Sequence, residues 1–222
     1  MKYVVVDLEM NPVSAEYRKI HDTGNMEIIE IGAVALDDSY SEIDSFYTYI
    51  KPSFNSVIEK KYERLTGITT SMVENAPDFE NALNMFIKWC ENLNDEIQFC
   101  QWSESDLMQI KKEIVMKQYI TTDREDFLLS EWCDFQHEFG ELLGIEKKIS
   151  LKEALMYAGI DFEGRQHDAL YDARNTAVLL ATARDEENRK EHFDKIIAAM
   201  KPKSENSFTL GDVFDFSKIV FN

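Results

Sequence analysis

Apolar positions fall into continuous runs near the N-terminus and at sites along the chain, with helical stripes between and after them. Tyr3-Val4-Val5-Val6 is an unbroken apolar run, the pattern of a strand buried on both faces at the centre of a sheet. Glu27 to Leu36 predicts a second strand, and Ile43 to Lys51, with Phe46, Tyr47 and Tyr49, a third. Asp37-Asp38-Ser39 is a hairpin loop between them. Strands joined this closely describe an antiparallel meander, and no GxGxxG follows the first one to suggest a doubly wound dinucleotide fold. Asn11-Pro12 ends the first strand, and residues 11–25, with His21, form a polar loop. Ser56 to Glu59 reads as a capping box for a short helix reaching about Leu65, with Gly67 as its stop. After Pro77, the stripe Phe79, Leu83, Phe86, Ile87, Cys90 predicts an amphipathic helix packed on the sheet.

Glu96 to Trp102 predicts a fourth strand, and Ser103 caps a helix beginning near Glu104. Residues 119–130 read as a loop with a short strand ending at Phe127-Leu128-Leu129. Helices follow from about Trp132 to Leu143 and from a capping box at Ser150 to Ala158. Asp168 caps a helix whose stripe is Leu170, Ala173, Ala177, Leu180 and Ala181, and a charged helix runs from about Arg184 to Met200. Residues 1–200 therefore predict one α/β domain, and 201–222 a C-terminal tail. That tail alternates Phe208, Leu210, Val213, Phe214, Phe216, Ile219, Val220 and Phe221 with polar residues. It reads as docking on the body or on another subunit, a homodimer being one such arrangement.

Composition narrows the setting. Cys90, Cys100 and Cys133 form neither a CxxC pair nor an even disulfide set, which points to reduced thiols in a cytoplasmic protein. The N-terminal apolar run is too short for a signal peptide and no stretch is long enough to span a membrane, so a soluble chain without membrane contact is expected. The net charge of −18 counts against a basic surface holding long polyanions. It counts less against an enzyme that grips a few terminal nucleotides and offsets its carboxylates with bound divalent cations.

The candidate chemistry begins where the first strand ends. Asp7 and Glu9 follow the apolar run and point the same way, about 7 Å apart at ~3.3 Å per residue, while Leu8 continues into the core. Taken alone, they are equally well read as solvated acids at a strand end. Far downstream, His167 precedes the capped helix and Asp172 lies one turn into it, on the half-buried flank shared with Ala169, Thr176 and Leu179. Asp106 lies at the head of its helix, where the macrodipole favours an anion; a purely stabilising role is the alternative, and Glu104 is a competitor two residues away.

Asp-x-Glu at the end of an N-terminal strand, together with His-x4-Asp at the start of a late helix, resembles the DEDDh family of 3′–5′ exonucleases, which includes ribonuclease T and polymerase proofreading subunits. Ser150-Leu151-Lys152-Glu153-Ala154-Leu155 and Gly159 to Arg165 look most like its ERI-type branch, which trims RNA 3′ ends. The resemblance implies a ribonuclease-H-like α/β fold, a mixed five-stranded sheet flanked by helices. It also selects Asp106 as the third acid, from a strand, polar turn and helix-start Asp, although Gln101 or Ser103 stands where the family usually has Asn.

Four acids cannot converge as bare anions, since each pair at 4 Å costs roughly 4 kcal/mol at an effective dielectric of about 20. Two Mg²⁺ or Mn²⁺ ions remove that cost and suit hard oxygen ligands better than zinc does. By resemblance, Asp7 bridges both ions, Glu9 and Asp172 hold the one associated with the attacking water, and Asp106 helps place the other. His167 is then the general base. Tyr171 directly precedes Asp172 and is not the tyrosine of the sister DEDDy type. Met10, Leu65, Thr66, Gly67, Trp102 and His167 are the implied contacts to the terminal nucleotide. The Thr66-Gly67-Ile68-Thr69 turn reads equally as a plain helix connector; Trp102 and Phe54 can stack on a base but read better as core or rim packing; and Asn175 reads equally as orienting a metal ligand or phosphate and as helix surface. His21, His137 and His192 are expected on the surface. The implied activity is metal-dependent release of nucleoside 5′-monophosphates from single-stranded 3′ ends, RNA slightly favoured. Its rivals are the same chemistry on DNA and an inactive nucleic-acid-binding scaffold.

Overall fold

The computed structural model describes residues 1–20 and 25–200. His21 and the tail 201–222, with its expected docking role, lie outside the described residues. Among the described residues five strands, β1 (Lys2–Pro12), β2 (Met26–Leu36), β3 (Glu42–Tyr49), β4 (Ile97–Gln101) and β5 (Cys133–Asp134), form one sheet in the order β3-β2-β1-β4-β5. The first three make the antiparallel meander; β4 runs parallel to β1, and β5 parallel to β4. Helices α1 (Ala15–Ile20), α2 (Lys60–Thr66), α3 (Thr70–Val73), α4 (Phe79–Asn92), α5 (Ser105–Met116), α6 (Asp123–Leu128), α7 (Phe135–Leu143), α8 (Leu151–Ala158), α9 (Ala169–Arg184) and α10 (Glu186–Met200) surround it. No helix among them is long and apolar enough to cross a membrane.

Strand alternation on β1 divides the interior into two cores. Val4, Val6 and Leu8 pack with Leu83 and Phe86 of α4 and Ile110 of α5. Val5 faces the opposite way, toward Phe135 and Phe139 of α7, Leu155 of α8 and Leu179 and Leu180 of α9. By the same period of two, Asp7 and Glu9 emerge on the α9 face.

The α9 N-terminus reaches that face because β2 carries no side chain at Gly32, the residue paired with Asp7. A Cβ built there would lie 2.3 Å from the backbone carbon of Ala169 and 2.3 Å from the backbone nitrogen of Leu170. Backbone on both sides leaves nothing soft to yield. Gly32→Ala is therefore expected to destabilise the protein by about 1–3 kcal/mol through overpacking, read as a lower urea midpoint. An unchanged midpoint would show that α9 has room to move.

Four local expectations are corrected. Asn11 and Pro12 do not end the first strand but stay paired with Glu27 and Met26, and Ala15–Ile20 form α1 where a polar loop was expected. The Ser56–Glu59 capping box does not form, and α2 starts at Lys60 with Glu59 as an N-cap that makes no side-chain bond. Distant side chains hold the segment extended instead: the amide of Ile58 donates to Thr70 Oγ1, and that of Glu59 to Asn11 Oδ1, both at 3.0 Å. Phe127 and Leu128 are helical, not a strand, because Thr122 and Glu125 form a reciprocal capping box that opens α6. The fifth strand is instead the two-residue β5. At α5, the N-cap is Glu104 without a side-chain bond, and Gln101 takes over the expected role of Ser103: its Oε1 accepts the amide of Leu107 at 2.9 Å.

Candidate active site

Four elements meet at the middle of β1, where its pairing with β4 stops. Asp7 pairs with Gly32 and Glu9 with Glu30 across the antiparallel β1–β2 ladder, so the acids share one face with the α9 N-terminus. A β-bulge follows at Glu9/Met10 and re-aims the strand beyond the acids. Glu30 Oε2 accepts the amide of Ala169 at 3.0 Å, which fastens the first turn of α9 to β2. Asp168 caps that helix as expected, accepting the amide of Tyr171 at 3.2 Å. Asp106, in the first turn of α5, is 5% exposed. Glu104, its competitor, is exposed and pairs with Lys148 at 3.5 Å, so it does not join the site.

The acids act on one another. Burial raises Asp7 well above the ordinary carboxylate range, and Asp106, Asp172, Glu9 and Glu30 push it further. Glu9 is pushed up to about 8, by burial first and then by Asp172 and Glu30. Burial carries Asp106 to about 7 against the hydrogen bonds of its own amide and of Leu8. Glu30 is raised to about 7 by burial, with the Ala169 amide opposing, and Asp172 to about 6 by burial, with the His167 amide opposing.

The segment before α9 presents His167. Its ring is 48% exposed, with Nδ1 3.8 Å from Glu9 Oε1. Its backbone adopts φ +60°, a left-handed conformation that costs a non-glycine residue about 1 kcal/mol. The amide of His167 donates to Asp172 Oδ2 at 3.0 Å. Burial, with the Arg165 cation second, lowers the imidazole pKa, which favours the neutral ring. Asn175 is buried and clamps the segment from below. It accepts the Glu163 amide at 2.9 Å and donates to the Glu163 carbonyl at 2.8 Å and the Tyr171 carbonyl at 2.7 Å. Gly164, at φ +77°, lies under the Tyr171 ring, where a Cβ would come within 2.2 Å of Cδ1.

Glu9, Asp172 and His167 present ligand atoms that all lie within 4.8 Å of one another. Asp7 and Asp106 stand outside this tightest group but are coupled to it through the charges described. Carboxylate oxygens brought together in a buried site, their protons held against neutral pH by burial and by one another, are a donor set that fits hard divalent cations.

The expected substrate contacts divide. Leu65 is 41% exposed at the end of α2, and Met10 is half-buried beyond the acids. Thr66 is buried and spent within its own turn, donating to the Tyr62 carbonyl and accepting the Ile68 amide, both at 3.0 Å. Trp102 is 8% exposed and packs on Phe135 and Phe139 at 5.9 Å between centroids, so its ring faces the core and offers no stacking surface. Phe54 stacks on Tyr17 at 3.9 Å. His137 is exposed as expected, but His192 is half-buried and its ring Nδ1 hydrogen-bonds to the Ala158 carbonyl. Glu30 and the clamp role of Asn175 escaped the sequence reading; the signal for Glu30 was an acid interrupting Ile28-Ile29-x-Ile31.

Raised carboxyl pKa values have a thermodynamic consequence. An unfolded carboxyl titrates near pH 4, whereas Asp172, Asp106, Glu30 and Glu9 titrate at about 6 to 8 when folded. Between these limits the folded chain binds more protons than the unfolded one, so cation-free stability falls as pH rises. EDTA-treated protein should melt at a lower temperature at pH 8 than at pH 5.5. Mg²⁺ should recover the loss, by more at the higher pH. A melting temperature independent of pH would contradict the coupling.

Comparison with known proteins adds the lineage. The family described as Exonuclease (RNase_T) matches residues 4–180. ERI1 exoribonuclease 2 of Danio rerio is 31% identical over an alignment covering 79% of this chain and 34% of its own length. The 3′-5′ exoribonuclease 1 of Rattus norvegicus is 28% identical, covering 68% of this chain and 45% of its own. The chain thus spans about a third to under half of the length of these relatives. The nuclease domain of 3′hExo, a DEDDh family member bound to rAMP, has a TM-score of 0.70 at 20% identity, covering 82% of this chain and 90% of that one. That likeness establishes the ribonuclease-H-like fold.

Proposed function

The chain belongs to the RNase T exonuclease family, and from that premise we propose that it is a metal-dependent 3′–5′ exonuclease releasing nucleoside 5′-monophosphates from single-stranded 3′ ends, RNA favoured over DNA. The observation that carries this reading is the meeting of Asp7, Glu9, Asp106 and Asp172 from three separate elements, with their protons held far above the usual carboxylate range. The preference for RNA is supported by relatives named exoribonucleases.

Asp7, Glu9, Asp106 and Asp172 would hold two Mg²⁺ or Mn²⁺ ions, which when bound supply positive charge against the charge that builds on the scissile phosphate. The rest falls to side chains. His167, held neutral and with Nδ1 turned toward Glu9, takes the proton of the attacking water on Nε2. Glu30 and Asp168 fix the first turn of α9, and so the position of Asp172. Leu65 and Met10 form the apolar walls against which the last base rests. A second reading, with His167 as a cation ligand, is favoured by its ligand-atom grouping with Glu9 and Asp172.

The test uses 5′-labelled RNA and DNA oligomers of one sequence, with Mg²⁺ or EDTA. Stepwise shortening from the 3′ end, faster on RNA, abolished by EDTA and blocked by a 3′-phosphate, is expected. Shortening of DNA alone would move the reading to DNA; no shortening of either would leave the scaffold reading.

A further inference from the structure

Arg165 lies two residues before His167, yet its guanidinium lies across the end of α2, about a hundred residues away in the chain. Nη2 donates to the carbonyls of Arg64 and Leu65, each at 3.3 Å. These are among the last carbonyls of α2, where the helix end carries partial negative charge and a cation is favoured. The guanidinium also occupies the space above Gly67. A Cβ there would lie 1.5 Å from Nη1, and Gly67 itself takes φ +77° as the C-cap.

We propose that Arg165 is a positioning residue, a latch that ties the segment carrying His167 to the wall of the terminal-nucleotide pocket at the end of α2. The inference rests on the nuclease reading for what the latch serves, but the latch itself is a statement about chain contacts. The segment 163–167 is then fixed at three points. Asn175 holds Glu163 from below, α2 holds Arg165 from the side, and Asp172 holds the amide of His167. Two of these fastenings lie within the α9 region itself. Of the three fastenings named, the one through Arg165 crosses to the element that bears Leu65 and so makes the base's position depend on the pocket wall. A guanidinium whose Nη2 reaches two carbonyls and whose Nη1 is seated over Gly67 is directed to the end of α2.

The test is a set of variants in the full chain. Arg165→Ala should lower kcat about tenfold or more, the cost of a misplaced catalytic group, with KM changed less than about threefold. Arg165→Lys, which can still reach one carbonyl, should recover part of the loss. Gly67→Ala should cost at least as much as Arg165→Ala, because its Cβ displaces the guanidinium and also strains the backbone at φ +77°, and in the double variant only that excess over Arg165→Ala should remain. In a His167→Ala background, Arg165→Ala should have almost no further effect. Equal losses in both backgrounds, or a loss confined to KM, would overturn the latch in favour of a phosphate contact. Hydrogen exchange gives a readout independent of turnover: Arg165→Ala should speed exchange at the amides of Gln166 and His167. Unchanged exchange there defeats the proposal even if the wild-type protein degrades nothing, while failure of the nuclease reading shows in the wild-type protein alone.

Discussion

Asp7→Asn is expected to abolish turnover while leaving the cation-free protein at least as stable as wild type. Asp7 sits at the centre of the acidic group: burial and four neighbouring carboxyls together raise its pKa. An amide of the same shape removes a charge that the cation-free fold holds at a cost, so the folded state gains or breaks even, and gains more as pH rises. The same change removes one of the acids that would hold the cations. If that interaction supplies several kcal/mol in the transition state, its loss is at least ~10³-fold in rate. Stabilisation by Mn²⁺ should shrink as well, since a ligand bound only to the folded state contributes about 2.7 kcal/mol at a hundred times its Kd. Melting curves with EDTA and with Mn²⁺ measure both effects. A marked fall in cation-free stability would make Asp7 a structural residue and remove it from the site.

His167→Ala should lower kcat by about 10²- to 10⁴-fold, the usual worth of a positioned general base, with Mn²⁺ affinity nearly intact. The left-handed backbone at this position complicates alanine, which pays for φ +60° in stability. His167→Asn, which tolerates that conformation through its short polar side chain, separates the loss of the imidazole from backbone strain. Both variants should show the same rate loss. Isothermal titration with Mn²⁺ then decides the role: a retained affinity assigns a base, and a collapse matching that of Asp7→Asn assigns a ligand beside Glu9 and Asp172.

The parts of this site that follow a local period were legible in the sequence. Alternation on β1 sends Asp7 and Glu9 to one face whatever packs above them, and the Asp168 cap sets where α9 begins and so where Asp172 points. The sheet was legible for the same reason, because β1 and β2 are buried along most of their length and β3 carries its aromatic run at Phe46, Tyr47 and Tyr49. What escaped depended on distant partners. Glu30 is an ordinary strand position until Ala169 is placed over it by the bare backbone at Gly32. Ser56 to Glu59 satisfies the capping pattern, but Asn11 and Thr70 take the amides first. Trp102 follows a strand that ends near the acids, and only the packing of α7 shows its ring turning inward. Arg165 is an exposed cation in a polar segment, meaningful only beside the end of α2.

The nuclease reading requires a free 3′ end, and a closed circle tests that requirement most directly. A single-stranded RNA prepared both as a 5′-labelled linear strand and as a covalent circle, incubated with the pure protein and Mg²⁺, separates end-dependent from internal cleavage. The linear strand should shorten stepwise to mononucleotides while the circle remains intact, and Asp7→Asn should degrade neither. Efficient nicking of the circle by the wild-type protein, lost in Asp7→Asn, would show that the same acids cut internally and would contradict an exonuclease.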